Sequence, residues 1–338
     1  MKATGKIIVL AYPDTFVKVS TEWICKVLPY LGLGTKNHIK AGHAALILIN
    51  NETGKARYFD FGRYVTPPGY GRVRGANTDA ELHIPIIAKI SSEGVLQNRD
   101  AFFYWLDGNP DKTHGDGRLL ASVCDEIDHN KAYNFIRTLQ QKGSIPYGAF
   151  DKTGSNCSRF VTETILAATP NLKIVKALSF NKKFTPSTVG NVEKASLAKD
   201  IFEIYNGKIS KFNGSALQEN LRNYFHKKKP EPITIQKSKL SERAQKLYGT
   251  GSSAWFELQE EHFPENHFRI KRYNENCEVD FDGIYKASEE FDMHIPYTFT
   301  YDSHCAYCHI LQKEKKIKFE RVANYETYIS SLQKVHLA

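Results

Sequence analysis

The stretch "YGAFDKTGSNCSRFVTETIL", residues 147–166, passes from a polar loop with glycines into a helical pattern, and Cys157 stands at the boundary. Apolar residues after Cys157 recur at the spacing of one helix face. Ser155 and Asn156, just before it, are residues whose side chains commonly cap helix N-termini. The stretch therefore predicts a helix of about a dozen residues that begins at Cys157.

A cysteine at a helix start can be more than a small buried side chain. The first N–H groups of a helix lack intrahelical acceptors and carry partial positive charge. They stabilise a thiolate, and they can also bind the oxyanion that forms when the thiolate attacks a carbonyl. The alternative is a buried structural cysteine. A catalytic thiol also needs a base, usually histidine, and a third group that orients the base.

Two neighbouring strands supply candidates for these partners. His43 opens the apolar strand in "AGHAALILI", and Asp60 interrupts the aromatic residues of "ARYFDFGRY", the second strand of a predicted hairpin. A four-residue loop, Asn51 to Gly54, would put His43 and Asp60 on one face within hydrogen-bonding reach. A three-residue loop would put them on opposite faces. The sequence leaves both loops open.

The cysteine segment resembles that of the NlpC-type papain-like hydrolases. In "PYGAFDKTGSNCSRFV" a tyrosine and a glycine-containing loop lead through an Asn-Cys-Ser step into a helix with phenylalanine close behind. The histidine strand precedes Cys157, which is the order found in the circularly permuted branch of that family. The similarity covers roughly residues 5–190, and "GAFD" replaces the family's usual Trp-Gly-Gly run.

The resemblance implies roles for particular residues. Cys157 would be the nucleophile, His43 the base and Asp60 the orienting group. Candidates for contacts with the substrate carbonyl or the oxyanion are Tyr147, Asn156 and Ser158. Rival bases or orienters are His83, Glu81 and Asp125, which we interpret as surface or satisfied strand residues.

We expect an α+β protein of two domains. Residues 1–215 would form the permuted papain-like domain, in which an antiparallel sheet packs against the cysteine-bearing helix. Residues 216–250 are polar and basic and would form a linker. Residues 251–338 are rich in aromatic and β-branched residues and would form a smaller, β-rich domain.

Within the first domain the pattern predicts further elements. Strands are expected over 6–12, 80–90 and 118–124, and helices over 98–110, over 128–143 with Asp128 as N-cap, and over 20–34 with Ser20 as N-cap. The glycine-rich segment "GYGRVRG", 69–75, is expected to be a mobile loop beside the active cleft. There Arg72 and Arg74 could contact an anionic substrate.

Composition limits the remaining possibilities. The net charge is +9, but 37 acidic residues are interspersed and no nucleic-acid motif accompanies the charge, so no nucleic-acid partner is expected. No transmembrane segment or export signal is visible, which predicts a cytoplasmic location with reduced cysteines. No cofactor is expected. The segment "HCAYCHI" leaves open a zinc site at Cys305 and Cys308, with His304 or His309 and with Cys277 or His267, or a reduced pair of thiols.

The favoured function is a cysteine peptidase or amidase that cleaves a peptide or a peptidoglycan-derived fragment. Acyl transfer or ester cleavage on a lipid-like substrate is the alternative within enzymes. A catalytically inactive, papain-like binding module is the alternative outside them. The sequence does not determine the oligomeric state.

Overall fold

The computed structural model describes residues 3–19, 22, 27–148, 153–183, 185–227, 239–261 and 263–336. The chain divides into two compact units. The first contains residues 1–62, 71–76 and 82–230, and the second contains residues 63–70, 77–81 and 231–338. The prediction of an α+β protein with a sheet-rich C-terminal region is confirmed.

An eight-stranded sheet forms the centre of the first unit, in the order β10-β9-β7-β1-β4-β5-β6-β8. Its strands are β1 Gly5–Tyr12, β4 His43–Asn50, β5 Ala56–Gly62, β6 Tyr70–Gly75, β7 Leu119–Ile127, β8 Ile145–Pro146, β9 Phe202–Tyr205 and β10 Lys208–Lys211. A separate pair, β2 Phe16–Lys18 and β3 His38–Lys40, is antiparallel. The central strands β1 and β4 are apolar on both faces because both faces are covered.

Helices cover the sheet. Those described in the first unit are Arg99–Asp107, Pro110–Thr113, His129–Gln141, Cys157–Ala168, Leu172–Lys182, Thr188–Ala195 and Ala216–Tyr224. One face packs Ile7, Val9, Leu46 and Leu48 against the Cys157 helix, and the other packs Ile8, Leu10 and Ile47 against Phe102 and Phe103. No helix in the described part of the chain is both long and apolar enough to span a bilayer.

The β4–β5 hairpin has the register that the four-residue loop predicts. Ala45 lies opposite Asp60, and the Asn50 N–H donates to the Lys55 carbonyl at 3.0 Å. Gly54 has φ of +68°, the left-handed conformation that glycine adopts without strain. The Asn50 side chain accepts hydrogen bonds from the N–H groups of Glu52 and Thr53, which stabilises the turn.

Several predicted elements of the first unit match the structure. The helix Arg99–Asp107 and strand β7 lie where the pattern places them. The helix His129–Gln141 begins after Asp128, whose side chain accepts from the Lys131 N–H. The helix Cys157–Ala168 has the predicted dozen residues.

Two predictions of local structure are wrong. Residues 70–75 form strand β6 rather than a mobile loop. Residues 80–90 form a short 3₁₀ helix, Ala80–Leu82, followed by isolated bridges rather than a strand. Pro85 lacks the N–H that a regular ladder would use at that position. The helix predicted from Ser20 lies mostly outside the described residues, and Leu28–Leu31 near its end is a 3₁₀ helix.

The second unit is built on a seven-stranded antiparallel sheet, in the order β11-β12-β13-β14-β17-β16-β15. Its strands are β11 Gln245–Tyr248, β12 Ser253–Leu258, β13 His267–Tyr273, β14 Val279–Ala287, β15 Thr298–His304, β16 Tyr307–Gln312 and β17 Lys315–Asn324, with a final helix Tyr325–His336. The Gln245 side chain bonds the backbone at Tyr297 and Phe299, so it links the two edge strands. Phe256, Phe299 and Phe319 are buried in the core.

The segment expected to be a linker, 216–250, contains regular structure at both ends. The helix Ala216–Tyr224 packs in the first unit, and β11 belongs to the C-terminal sheet. Residues 228–238, the centre of that segment, lie outside the described residues.

Candidate active site

Cys157 is the first residue of its helix, as the sequence predicts. Asn156 caps the helix: its side-chain oxygen accepts from the Arg159 N–H at 2.9 Å, and its Nδ2 donates to the Gly148 carbonyl at 3.1 Å. Cys157 is only 7% exposed. Its sulfur therefore lies in a region of low polarity at the positive end of a helix.

His43 is the first residue of β4 and follows Gly42, whose φ is +75°. By the alternation of the strand it shares a sheet face with Ala45 and Ile47, opposite to the face that the Cys157 helix covers. Its ring stacks on Tyr12, with centroids 6.3 Å apart. Because β4 begins at His43, the imidazole can pass the strand end and reach the thiol.

Asp60 lies at the centre of a buried network and is fully buried. Its Oδ2 is 3.2 Å from His43 Nε2 and accepts from the Tyr58 hydroxyl at 3.1 Å. The Arg74 guanidinium binds both carboxylate oxygens, at 3.0 Å from Nε to Oδ1 and 2.7 Å from Nη2 to Oδ2. Burial would raise the pKa of Asp60, but Arg74 and His43 outweigh it and hold that pKa well below its usual range.

His43 also interacts electrostatically with Cys157, since each shifts the pKa of the other. Since Nε2 faces Asp60, Nδ1 is the nitrogen that remains for the sulfur. Burial would lower the pKa of His43, but the bonds with Asp60 and Cys157 raise it to about 9. Burial would likewise raise the pKa of Cys157. This pKa is nevertheless lowered, because His43 outweighs burial and the Ala44 N–H and the Ser158 hydroxyl add to its effect. The arrangement favours a thiolate–imidazolium pair.

The three residues predicted to contact the substrate or oxyanion lie around the helix start. Tyr147 is half-buried, bridges to Ser155 and stacks on Phe61 with the rings 5.9 Å apart. The Asn156 side chain is used in capping the helix. The Ser158 hydroxyl helps to lower the pKa of Cys157. The first backbone N–H groups of the helix have no intrahelical acceptor and could bind an oxyanion there.

Arg72 and Arg74 do not lie on a surface loop. Both are buried on strand β6, and Arg74 pairs directly opposite Asp60. The expectation that Arg74 contacts an anionic substrate is therefore wrong, because its guanidinium binds the Asp60 carboxylate.

The rival groups lie in other surroundings. His83 is exposed at the surface, and Glu81 lies 3.7 Å from Arg272 within the second unit. Asp125 pairs with Lys6 at 2.6 Å. None of the three has a contact with Cys157 among those that the described residues show.

Cys305 and Cys308 are both fully buried beside the β15–β16 turn. Burial raises the pKa of the Cys305 thiol to about 12 and also raises the pKa of Cys308. Arg272 Nη1 lies 3.6 Å from the Cys305 sulfur. Across the described ranges, no group of three or more His, Cys, Asp or Glu side chains is placed to hold a metal ion.

The sequence did not indicate Tyr58 or Tyr224 as members of the site, and it gave Arg74 a different role. Tyr58 lies two residues before Asp60 on the same strand face, so the period of β5 could have identified it. Arg74 would have followed from treating 70–75 as a strand paired with β5. Burial raises the pKa of Tyr224, in the helix Ala216–Tyr224, and the nearby Cys157 thiolate raises it further. No sequence pattern connects Tyr224 with the thiol.

Different family models match the N-terminal and the C-terminal parts of the chain. Residues 7–174 match the family model described as type VI secretion system effector TseH-like, and residues 244–322 match the model of the DUF6695 C-terminal domain. The crystal structure of a type VI secretion system effector, TseH, aligns with a TM-score of 0.41 and 20% identity, over 61% of this chain and 96% of that one. No curated protein matches the chain. Over residues 7–174 the chain is thus similar to the TseH-like effectors of the type VI secretion system.

Proposed function

We propose that the first unit is a thiol-dependent hydrolase with a circularly permuted papain-like fold, and that it cleaves an amide bond. The observation that carries the proposal is the buried set of Cys157, His43 and Asp60, in which His43 Nε2 lies 3.2 Å from Asp60 Oδ2 and His43 lowers the pKa of Cys157. A sulfur, an imidazole and a carboxylate in hydrogen-bonding sequence are the three parts that a cysteine nucleophile requires.

The proposed reaction has two steps. The Cys157 thiolate attacks the amide carbonyl carbon, and the tetrahedral intermediate collapses as the His43 imidazolium gives its proton to the leaving nitrogen. The products are an amine and a thioester on Cys157. In the second step a water molecule attacks the thioester while His43 accepts its proton. The carboxylic acid then leaves, and the sulfur regains its negative charge. Helix N–H groups next to Cys157 bind the oxyanion in both steps, and Tyr147 orients the carbonyl.

We infer the substrate class from the comparison together with the site. Similarity to a family of secretion effectors supports a target outside the cell that makes the protein, rather than the cytoplasmic role expected from sequence. A peptide or a peptidoglycan-derived fragment carries amide bonds and fits that setting. The C-terminal unit would then select the substrate or bind a partner.

The test combines alkylation with hydrolysis. Iodoacetamide at pH 6, followed by mass-spectrometric mapping, should modify Cys157 at a rate that falls at least about tenfold in His43→Ala, because the imidazolium stabilises the thiolate. Cys124 serves as the internal control, since burial raises the pKa of its thiol to about 12.

For hydrolysis, purified peptidoglycan and a peptide library are incubated with the wild type, Cys157→Ala and Cys124→Ala, and the released amino groups are identified by mass spectrometry. Cleavage should be retained in Cys124→Ala and lost in Cys157→Ala, since the nucleophile and its base act as a unit. Cleavage that persists in Cys157→Ala, or alkylation of Cys157 that does not respond to His43→Ala, would overturn the proposal.

A further inference from the structure

The Asp60 carboxylate receives more hydrogen bonds than a single histidine partner supplies. Oδ2 is shared by His43, Tyr58 and Arg74, and Oδ1 receives the Arg74 Nε–H. Since Arg74 contacts both oxygens, it fixes the plane of the carboxylate. A planar fork of two parallel N–H donors gives stronger geometric control than a single bond does.

The fold holds Arg74 firmly in that position. Arg74 lies directly across the β5–β6 ladder from Asp60, and its residue is only 2% exposed. Its Nη2 also donates to the Lys112 carbonyl at 3.1 Å, a second anchor outside the ladder. With a strand on one side and this carbonyl on the other, the guanidinium has little freedom to rotate.

Resting on the proposed function, we propose that Arg74 is a positioning residue of this site. By clamping both oxygens of Asp60, it holds the carboxylate in the orientation that directs the His43 imidazole toward the Cys157 sulfur. In this role Arg74 acts on the thiol through Asp60 and His43.

Charge gives the clamp a second effect. Thiolate, imidazolium, carboxylate and guanidinium alternate in sign along the network, so each charge lies beside a charge of opposite sign. Tyr12 and Tyr58 also face the network, and Tyr224 lies near the thiol. Burial raises the pKa of Tyr12 and of Tyr224. A second buried cation, Arg72, shares the face of β6 with Arg74.

Loss of the guanidinium has two possible consequences, and both raise the pKa of Cys157. If Asp60 stays ionised, the site has one positive charge fewer, which opposes the thiolate. If Asp60 takes up a proton, His43 loses its partner and the thiolate loses its imidazolium.

The experiment compares three variants by the pH dependence of Cys157 alkylation. Arg74→Met removes the charge and the fork, while Arg74→Lys keeps the charge but cannot bind both oxygens in the same plane. Lys6→Met is the matched control, because Lys6 is a buried cation of the same sheet, 2% exposed, whose carboxylate partner Asp125 lies outside the site. Circular dichroism first establishes which variants fold.

We expect Arg74→Met to raise the pKa of the Cys157 thiol, which moves the midpoint of the alkylation profile to higher pH by roughly one unit. Arg74→Lys should give a smaller shift in the same direction, and it decides the question if Arg74→Met does not fold. Lys6→Met should keep the wild-type pH profile. If Arg74 had only a structural role, its variants should keep that profile as well.

The outcomes separate this inference from the proposed function. Wild-type alkylation of Cys157 that depends on His43 but is unchanged in both Arg74 variants overturns the role of Arg74 and leaves the hydrolase standing. A wild-type Cys157 that does not depend on His43 overturns both. An equal shift in Lys6→Met assigns the effect to general destabilisation and also overturns the inference.

Discussion

Asn191 joins its own helix, Thr188–Ala195, to the backbone of Ser158, the residue that follows Cys157. Its Nδ2 donates to the Ser158 carbonyl at 2.8 Å, and its Oδ1 accepts from the Thr162 hydroxyl at 2.7 Å. Asn191 and Thr162 are fully buried. One amide thus fixes the first turn of the cysteine helix from outside that helix.

The substitution Asn191→Ala should lower the free energy of unfolding by about 1–3 kcal/mol, because a buried carbonyl and a buried hydroxyl lose a partner. Urea unfolding followed by circular dichroism measures the change. Asn134→Ala, at an exposed position of the helix His129–Gln141, is the control and should stay within about 0.5 kcal/mol. Equal losses in the two variants would show that the Asn191 amide contributes nothing specific.

Gly42 is a position where no side chain fits. Its φ is +75°, and a Cβ there would lie 2.9 Å from both the Tyr12 carbonyl oxygen and the Thr188 hydroxyl. Gly42→Ala should destabilise the protein and, since His43 follows, also slow alkylation of Cys157. Gly94 has a similar φ of +82° with open space around it. Gly94→Ala therefore pays only the backbone strain of about 1 kcal/mol.

Thermal unfolding and alkylation rates should be measured on both glycine variants. We expect the larger loss of stability in Gly42→Ala and an unchanged alkylation rate in Gly94→Ala. Identical behaviour in the two would mean that the contacts around Gly42 relax without displacing His43.

The helix start at Cys157 could be predicted because it depends on local chemistry, a capping Asn156 before an amphipathic pattern. The position of β6 could not, because its glycines resemble a loop. In the structure Gly71 and Gly75 lie against the rings of Phe61 and Phe59, where a Cβ would come within 2.8 Å of ring carbons. These glycines make room for aromatic rings on the neighbouring strand. Such a requirement arises only once the strands are paired.

The His43–Asp60 contact was predictable only as one of two alternatives. Gly54 is compatible with either loop, and the register depends on which one the folded sheet selects. Strands β9 and β10 escaped prediction for a different reason. The edge strand β10, Lys208–Lys211, is polar and largely exposed, so it lacks the apolar period that marks a buried strand.

Asp14 should make the stability of the first unit depend on acid pH. It pairs with Lys40 at 2.7 Å and Arg118 at 3.0 Å; burial would raise its pKa, but these cations hold it at about 2. A carboxyl whose folded pKa lies below the unfolded value stabilises the fold above the unfolded pKa, and this stabilisation is lost as the pH falls through the folded pKa.

Asp14→Asn should therefore lower the free energy of unfolding by roughly 1–2 kcal/mol at pH 7, after allowance for partial exposure. The difference from wild type should shrink between about pH 4 and pH 2, and urea titrations across that range measure it. Asp111→Asn, at an exposed carboxylate, is the control. A difference that stays constant down to pH 2 would assign the effect to packing rather than charge.

The protonation of His43 should report directly on Asp60. In the wild type, burial opposes the imidazolium, and the bonds with Asp60 and Cys157 raise the pKa of His43 to about 9. Asp60→Asn keeps the shape of the side chain but removes its negative charge. The lowering effect of burial is then less opposed, so the pKa of His43 should fall. The ring carbon resonances of isotope-labelled histidine, followed by NMR between pH 5 and pH 10, measure the midpoint of the His43 titration.

His129 is the control. Burial lowers its pKa, it stacks on Tyr133 away from Asp60, and it should titrate identically in both proteins. A His43 midpoint that is unmoved in Asp60→Asn would mean that the thiolate alone holds the proton on the imidazole, and Asp60 would then lose its proposed role as the orienting group.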